Sequence, residues 1–261
     1  MKWSALIALA LPLLSWSPAS GSDSPDSVPL PNTQILMTGT DEAVTDNRGS
    51  WSDISGEIIQ SIAPRESLYA LGGTSSRFNE TDPHYTVGGY APLGTRAFLN
   101  LEGSFSPTHL VLPQTDLLGS VEDRLGGGWG YAGGYERRFY TDVGATIYSL
   151  MLDRYVGNYR FAYRASAAGL SNVAGLAFTH DLRATRYYGA RGDSSVGLDL
   201  TAGRDVENIG TSVLVSPVRG ASISGVHWFE RSWALDWNLE TQSLNRLYSR
   251  SGASLGLRFR F

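Results

Sequence analysis

The chain has 261 residues, of which 42% are hydrophobic and 18% charged, and its formal net charge is −4. This length suits one large domain or two small ones, and the 30 glycines and 13 tyrosines favour a β-rich protein with many turns. The acidic balance excludes a basic surface for nucleic acid, so we expect no nucleic-acid partner. The absence of cysteine excludes disulfide scaffolds, thiolate metal sites, cysteine nucleophiles and lipoprotein anchoring.

The first 19 residues predict a signal peptide. Lys2 precedes an apolar run from Trp3 to Trp16, and small residues lead to a cleavage position after Ala19. The alternative is a membrane-anchor helix, but the run is shorter than the roughly 20 residues that a span needs, and Pro12 interrupts it. We therefore predict export across the inner membrane.

Residues 20–50 have a different composition from the rest of the chain. The stretch from Gly21 to Ser27 is polar and acidic, and Pro29 and Pro31 follow it. Such a segment buries too little apolar surface to offset the entropy lost on ordering. We predict a flexible acidic segment, with one short ordered piece at residues 35–37.

Residues 51–261 show a two-residue alternation of apolar and polar side chains in long runs. Clear examples lie at residues 97–105, 159–166, 176–183, 196–203 and 233–240. The strand-like stretches reach ten residues or more, which suits tilted strands crossing a bilayer, whereas strands of soluble sandwiches are nearer five or six. Only helices and closed barrels satisfy every backbone group in hydrocarbon. The pattern therefore predicts an all-β fold, a closed antiparallel transmembrane β-barrel.

The number of strands is less directly fixed. About thirteen alternating segments can be placed between Trp51 and Phe261. Bacterial barrels of this kind have an even number of strands, so one segment is spurious or another is hidden, for example around residues 210–217. Our estimate is twelve strands, within a range of ten to fourteen.

The end of the chain carries the most specific pattern. Apolar side chains alternate with polar or small ones and finish on an aromatic residue, as in the C-terminal signal of outer-membrane barrels. The predicted assembly-signal residues are Ser254, Gly256, Leu257, Phe259 and Phe261. An unpaired alternating strand is a template for strand addition, so the expected partner is the barrel assembly machinery.

Three stretches resemble the YaiO family of outer-membrane β-barrels: residues 129–140, residues 155–161 and the closing strand. The resemblance covers residues 51–261 and is clearest over 125–261. It implies a surface-exposed barrel in the outer membrane of a Gram-negative-type bacterium, with outer-membrane lipids as partners. Some family members occur beside envelope-polysaccharide machinery, which makes envelope polysaccharide a further candidate partner.

The alternation also predicts which charged side chains face the barrel lumen. They are Glu102, Glu136, Arg138, Asp153, Arg160, Arg164, Asp181, Arg183, Asp199, Asp236, Glu240 and Arg258. Two interpretations are open. The charges pair tightly and plug the barrel, which is the simpler interpretation, or they line a wet channel for a polar solute.

No catalytic signature is present. The four histidines are His84, His109, His180 and His227, and no Ser-His-acid order, metal-ligand cluster or phosphate loop accompanies them. We therefore predict no catalytic residue, no metal and no cofactor. The predicted function is a non-enzymatic surface barrel that supports polysaccharide export or binding, or passage of a small polar solute. The alternatives are an outer-membrane enzyme that modifies lipid or glycan, and a soluble periplasmic β-protein.

Overall fold

The computed structural model describes residues 33–45, 49–190, 192–208, 212–244 and 247–261. The predicted signal peptide and residues 20–32 lie outside the described residues. The described part of the chain forms fourteen strands: β1 Thr33–Val44, β2 Ser50–Ala63, β3 Glu66–Arg77, β4 Glu80–Leu93, β5 Ala97–Phe105, β6 Thr115–Gly126, β7 Trp129–Phe139, β8 Gly144–Val156, β9 Tyr159–Leu170, β10 Ala177–Tyr188, β11 Ser194–Asn208, β12 Val213–Trp228, β13 Trp233–Ser243 and β14 Ser249–Arg260.

Every strand pairs antiparallel with its neighbours in sequence, and β1 pairs with β14 to close the barrel. The closing register runs from Gln34 opposite Arg260 to Val44 opposite Arg250. Closure leaves no open edge, so the backbone hydrogen-bonding groups of the strands are paired within the sheet. Within the described ranges, no helix is long and apolar enough to cross a membrane.

The strand count of twelve was wrong, and so was the start of the barrel near Trp51. Thirteen of the strands lie between Ser50 and Arg260, which agrees with the thirteen alternating segments counted in the sequence. The fourteenth is β1, within the segment that was predicted to be flexible. The even number is therefore reached by adding a strand, because Thr33–Val44 alternates like the other strands despite the acidic, proline-containing stretch before it.

The two faces of the sheet have opposite character. Apolar side chains such as Met37, Ile54 and Leu150 point outward and are 63–65% exposed. Charged side chains such as Arg138 and Asp153 point inward and are only 1–3% exposed. A soluble protein distributes these residue types the other way round, whereas a barrel in lipid requires this arrangement.

The barrel has two distinct ends. We call the end that holds Thr33 and Phe261 the terminal end; its turns have two to five residues, at 64–65, 94–96, 127–128, 157–158, 189–193 and 229–232. The opposite end, the far end, has connections of two to nine residues, which are longer on average, and residues 106–114 form the longest. One tight turn requires glycine: Gly128 has φ +80°, and a Cβ there would lie 2.5 Å from the carbonyl oxygen of Tyr155.

Candidate functional site: a cavity in one half of the barrel

A cavity of about 560 Å³ occupies one half of the barrel interior, between β1–β4 and β10–β14. Its lining includes many hydroxyl, carboxylate and guanidinium side chains together with apolar surface and a few aromatic rings. The charged side chains in the wall are Glu42, Asp53, Glu57, Arg77, Asp181, Arg183, Asp193, Asp199, Asp236, Glu240, Arg258 and Arg260. Carboxylates therefore outnumber arginines by eight to four, and the cavity carries a negative balance.

The other half of the interior, beside β5–β9, is filled by paired side chains. Tyr69 donates a hydrogen bond of 2.6 Å to Glu102. Asp153 accepts hydrogen bonds from Arg124 at 3.1 Å and from Arg160 at 3.2 Å. These groups occupy the lumen where a uniform channel would hold water.

Arg138 is the centre of a second buried network in the filled half. Its guanidinium pairs with Glu136, and its Nε lies 3.4 Å from a carboxylate oxygen of Asp116. Arg138 is 3% exposed, so both attractions act in a medium of low polarity. Burial raises the pKa of the nearby Tyr140 phenol above its ordinary value, and that ring is therefore neutral.

Six of the twelve predicted lumen charges form ion pairs on the β9–β11 and β13–β14 walls. Arg183 pairs with Asp199, and Arg164 lies 3.4 Å from Asp181. These strands are neighbours, and the registers bring the pairs together: Arg183 is directly opposite Asp199, and Arg164 is opposite Asp181. The pairing holds these walls of the barrel in a fixed arrangement.

A similar pair lies on β13 and β14. Arg258 donates two hydrogen bonds to Asp236, at 2.8 and 3.1 Å, and a third to Gln34 at 3.3 Å. Glu240 accepts a hydrogen bond of 3.1 Å from Asn238. The twelve predicted charges thus form two groups. The filled half holds Glu102, Glu136, Arg138, Asp153 and Arg160. The β9–β11 and β13–β14 walls hold Arg164, Asp181, Arg183, Asp199, Asp236, Glu240 and Arg258.

Sequence reasoning missed the carboxylates of β1 and β2. Glu42, Asp53 and Glu57 all line the cavity. Glu42 pairs with Arg250 at 3.0 Å, whereas Asp53 and Glu57 form no ion pair among the described residues. The signal was present in the sequence, because Asp53 and Glu57 alternate with the exposed residues Ile54 and Ile58.

Aromatic rings gather at the terminal end of the cavity. Tyr69, Tyr90, Tyr187 and Trp228 line it there. Tyr69 and Tyr90 lie 5.9 Å apart, and the Arg260 guanidinium sits 3.5 Å above the Trp228 ring. Such rings offer flat apolar faces beside polar groups, a combination suited to stacking with a ring-shaped polar solute.

The far end is covered in three places, of which the first is the long connection at residues 106–114. The inward carboxylate of Asp82 accepts hydrogen bonds from Thr108 Oγ1 at 2.5 Å and from the amides of Leu110, Val111 and Leu112 at 3.0, 2.7 and 2.8 Å. Asp82 and Val111 are both 0% exposed. Because Asp82 points into the barrel, these bonds fold the connection back over the lumen.

The second cover is an aromatic cluster around Trp51. Its ring meets those of Phe78 and Tyr248 edge to face, at 5.1 and 5.4 Å. The guanidinium of Arg250 lies 5.3 Å from the centre of the same ring. Trp51 and Tyr248 are 1–2% exposed, so the cluster packs the far end of β2 against the β13–β14 connection across β1.

The third cover is the end of the β11–β12 hairpin, which extends beyond β10. Val206 is fully buried and packs with Ala145 and Ala168, both on the inward face of their strands. Val213 and Val215 pack against the same cluster. The hairpin therefore leans onto the far ends of β8–β10.

The histidines occupy separate places. His84 lines the cavity, and His109 lies in the 106–114 connection. His180 and His227 are on the outward face, hydrogen-bonded to Tyr163 at 2.7 Å and to Tyr188 at 3.2 Å. In the part of the chain that the structure describes, no group of three or more acidic or histidine side chains is arranged to hold a metal ion.

The predicted assembly signal lies in and just after β14. Ser254, Gly256, Leu257 and Phe259 belong to this strand, which closes the barrel against β1. The amide of Phe261 donates a hydrogen bond of 3.2 Å to the carbonyl of Thr33. A role in recognition by assembly machinery stays a prediction.

A closed antiparallel barrel with an apolar exterior and a polar interior defines a membrane β-barrel of the outer-membrane type. The YaiO membrane beta barrel domain matches residues 32–208, and the chain belongs to the YaiO family. The match includes β1, which confirms that the family domain starts well before Trp51. No curated protein sequence matches this chain.

Solved structures share the fold at low sequence identity. The CymD monoaromatic hydrocarbon channel is 8% identical, with a TM-score of 0.58 over 88% of each chain. A bacterial polysaccharide outer membrane secretin is 10% identical, with a TM-score of 0.55 over 89% of this chain and 99% of that one. The KdgM porin is 9% identical, with a TM-score of 0.50 over 87% and 99%. The barrel is thus similar to channels and porins in architecture.

Proposed function

We propose that this protein is a non-enzymatic channel-type barrel that accepts a carbohydrate-like polar solute from the periplasm. The observation that carries the proposal is the cavity of about 560 Å³, which is lined by charged and hydroxyl side chains and has aromatic rings at its terminal end. Short turns face the periplasm in bacterial barrels, so the terminal end is assigned to the periplasmic side. The solute then meets Tyr69, Tyr90, Tyr187 and Trp228 first.

The charge of the cavity favours one kind of carbohydrate. Eight carboxylates face four arginines in the wall. Asp53 and Glu57 form no salt bridge among the described residues, and Arg77, His84 and Arg258 act on them only at longer range. A low-polarity surround strengthens such fields and concentrates counter-charged solutes. Neutral and amine-bearing sugars fit this wall, whereas a chain of uronic acids would be repelled.

Passage through the barrel requires movement at the far end. The 106–114 connection, the Trp51 cluster and the β11–β12 hairpin cover it in the described structure. The likeness in fold to a polysaccharide secretin and to a hydrocarbon channel supports a transport role. Their named cargoes are properties of those proteins, and a polysaccharide cargo for this chain is part of the proposal.

The test combines conductance in planar bilayers with binding in detergent. We expect cation-selective openings, and quenching of tryptophan fluorescence by oligomers of glucosamine and of glucose but not of galacturonic acid. Asp53→Asn with Glu57→Gln should reduce the cation selectivity several-fold. Glu80→Gln, an exposed far-end position, is the matched control and should change nothing. A wild-type protein that neither conducts nor binds any of these oligomers would overturn the channel proposal.

One observation favours the enzymatic alternative enough to test it. His84, Ser55 and Asp53 line the same wall of the cavity. A Cβ on Gly73 would lie 2.8 Å from His84 Cε1 and 2.9 Å from Ser55 Cβ, so these two side chains flank one glycine. If they cleave or transfer an acyl or glycosyl group, His84→Ala should change envelope lipid or glycan composition while His227→Ala does not. Unchanged profiles in both variants would remove this alternative.

A further inference from the structure

A row of outward residues crosses the far part of the sheet at β10–β12. His180 on β10 is opposite Ala202 on β11, and Ala202 is opposite Arg219 on β12. Arg204 lies two residues beyond Ala202 on the same face. We call His180, Arg204 and Arg219 the basic ledge; all three are exposed on the outside of the barrel.

The three side chains of the ledge surround Ala202, whose own side chain is small. Neighbouring strands lie about 4.8 Å apart, so the Cα atoms of His180 and Arg219 are roughly 10 Å apart with Ala202 between them. Arg204 is about 7 Å farther along β11. Two guanidinium groups and an imidazole can therefore converge over Ala202 on a single tetrahedral oxyanion.

The arginines of the ledge form no ion pair among the described residues, unlike the outward Arg137 and Arg154, which contact other side chains. Arg154 covers the Trp129 ring at 4.9 Å, and Arg137 is hydrogen-bonded to Thr146. Neither Arg204 nor Arg219 forms an ion pair within the described residues. Among the described side chains, no carboxylate occupies an outward position of β9–β13.

The ledge also lies near the far-end edge of the apolar band, with the exposed Phe178 of β10 two residues closer to the far end than His180. Toward the terminal end the outward residues are apolar: Leu182, Leu198, Leu200 and Ile223, all 42–55% exposed. That band ends at Tyr188, eight residues from His180 along β10, where Tyr188 stacks on His227. Eight residues of strand tilted by about 40° rise roughly 20 Å, close to the height of a barrel's apolar band. The ledge is therefore at headgroup depth in the leaflet at the far end.

We propose that the basic ledge binds a phosphate group of a phosphorylated glycolipid in the outer leaflet. Arginine forks match phosphate oxygens by paired, charge-assisted hydrogen bonds. The His180 imidazole is hydrogen-bonded to and stacked on Tyr163 of β9, so the two arginines supply the main phosphate contacts and His180 borders the site. The far end faces the outer leaflet, where the lipid is a phosphorylated, sugar-based molecule. This site is on the outside of the barrel and is independent of what enters the cavity.

The test is native mass spectrometry of the folded barrel released from micelles that contain bis-phosphorylated lipid A. We expect the wild type to retain the lipid, and Arg204→Gln with Arg219→Gln to retain it at least tenfold less, about the change that losing one charge-assisted hydrogen bond produces. Arg186→Gln, an exposed outward arginine near the terminal end of β10, is the control and should retain as much as the wild type. Dephosphorylated lipid A should not be retained.

Two outcomes would overturn the inference. One is equal retention by the wild type and the double variant, both confirmed as folded by compact migration before boiling. The other is equal binding of phosphatidylglycerol or of dephosphorylated lipid A by the wild type, because the site would then not recognise a phosphorylated glycolipid. A double variant that fails to fold is replaced by the single variants Arg204→Gln and Arg219→Gln, each expected to lose a smaller share of the lipid.

Discussion

Asp82 is the residue whose substitution should most directly change the far end of the barrel. Its carboxylate accepts four hydrogen bonds from residues 26 to 30 positions away, and three of the donors are consecutive backbone amides. Asp82→Ala removes every one of these acceptors at once. The buried amides of Val111 and Leu112 would lose this acceptor, and the loss is costly unless the connection moves to water.

The size of the effect follows from these contacts. A hydrogen bond to a charged group contributes about 1.5–3 kcal/mol, and the contributions are not additive. We expect a loss of about 3–5 kcal/mol in the stability of the folded-back connection, the range for removing one partner of a buried charged network. The barrel itself should persist, because its strands are paired around the full circle. The result is local opening of residues 106–114.

Two measurements check this prediction. Hydrogen exchange at Val111 and Leu112 should become at least a hundredfold faster, since a factor of ten corresponds to about 1.4 kcal/mol. Single-channel recordings should show longer or larger openings than the wild type. Glu80→Ala, two residues earlier on the same strand and exposed, is the matched control. Unchanged exchange and unchanged conductance in Asp82→Ala would refute the role of this carboxylate in closing the lumen.

Three further predictions concern the barrel. Arg138→Met removes a buried cation from the partly buried carboxylates of Asp116 and Glu136, so the stability of the compact form should fall by about 3–5 kcal/mol and its thermal unfolding should shift down; Arg183→Met, at a half-exposed site, should cost far less, and equal losses would contradict the argument. Thr38→Pro removes a ladder donor from β1, which is paired on both sides, and should abolish heat-modifiable migration; normal migration would mean that β1 is dispensable. Deletion of Phe261 should lower the amount of barrel assembled in the outer membrane, as measured by fractionation, and normal amounts would argue against the assembly signal.

The fold could be predicted from the sequence because the bilayer leaves few choices. The alternation of inward and outward residues survives in every strand, since a shift of one residue would turn a whole row of charges into lipid. β1 was missed for a local reason: the acidic, proline-containing residues 20–32 precede Thr33 and lowered the apolar content of the whole segment. The alternation itself is visible in the sequence of β1, where Ile35 and Met37 point outward between Gln34, Leu36 and Thr38.

The candidate site could be predicted only in part. The alternation indicates that Asp236 and Arg258 share the interior, but it cannot show which charges meet, because pairing depends on the register between strands. The position of the folded-back connection at residues 106–114 could not be predicted from the sequence for the same reason. Its prolines predict a loop, yet its position depends on Asp82, which lies on a different strand.

The uneven filling of the barrel determines which part of its interior can move at the lowest cost in free energy. On the β5–β9 side, the networks around Arg138 and Asp153 are buried, and opening them would separate charges in a medium of low polarity. On the β1–β4 and β10–β14 side, the cavity is already empty of side chains. At the far end, the cavity borders the aromatic packing around Trp51, and the 106–114 connection, held by Asp82, covers the neighbouring part of the lumen. Under the proposed function, a solute that enters among the terminal-end aromatics meets a rigid wall on one side and these covers ahead of it, and the Asp82 contacts contribute to the free energy of opening them.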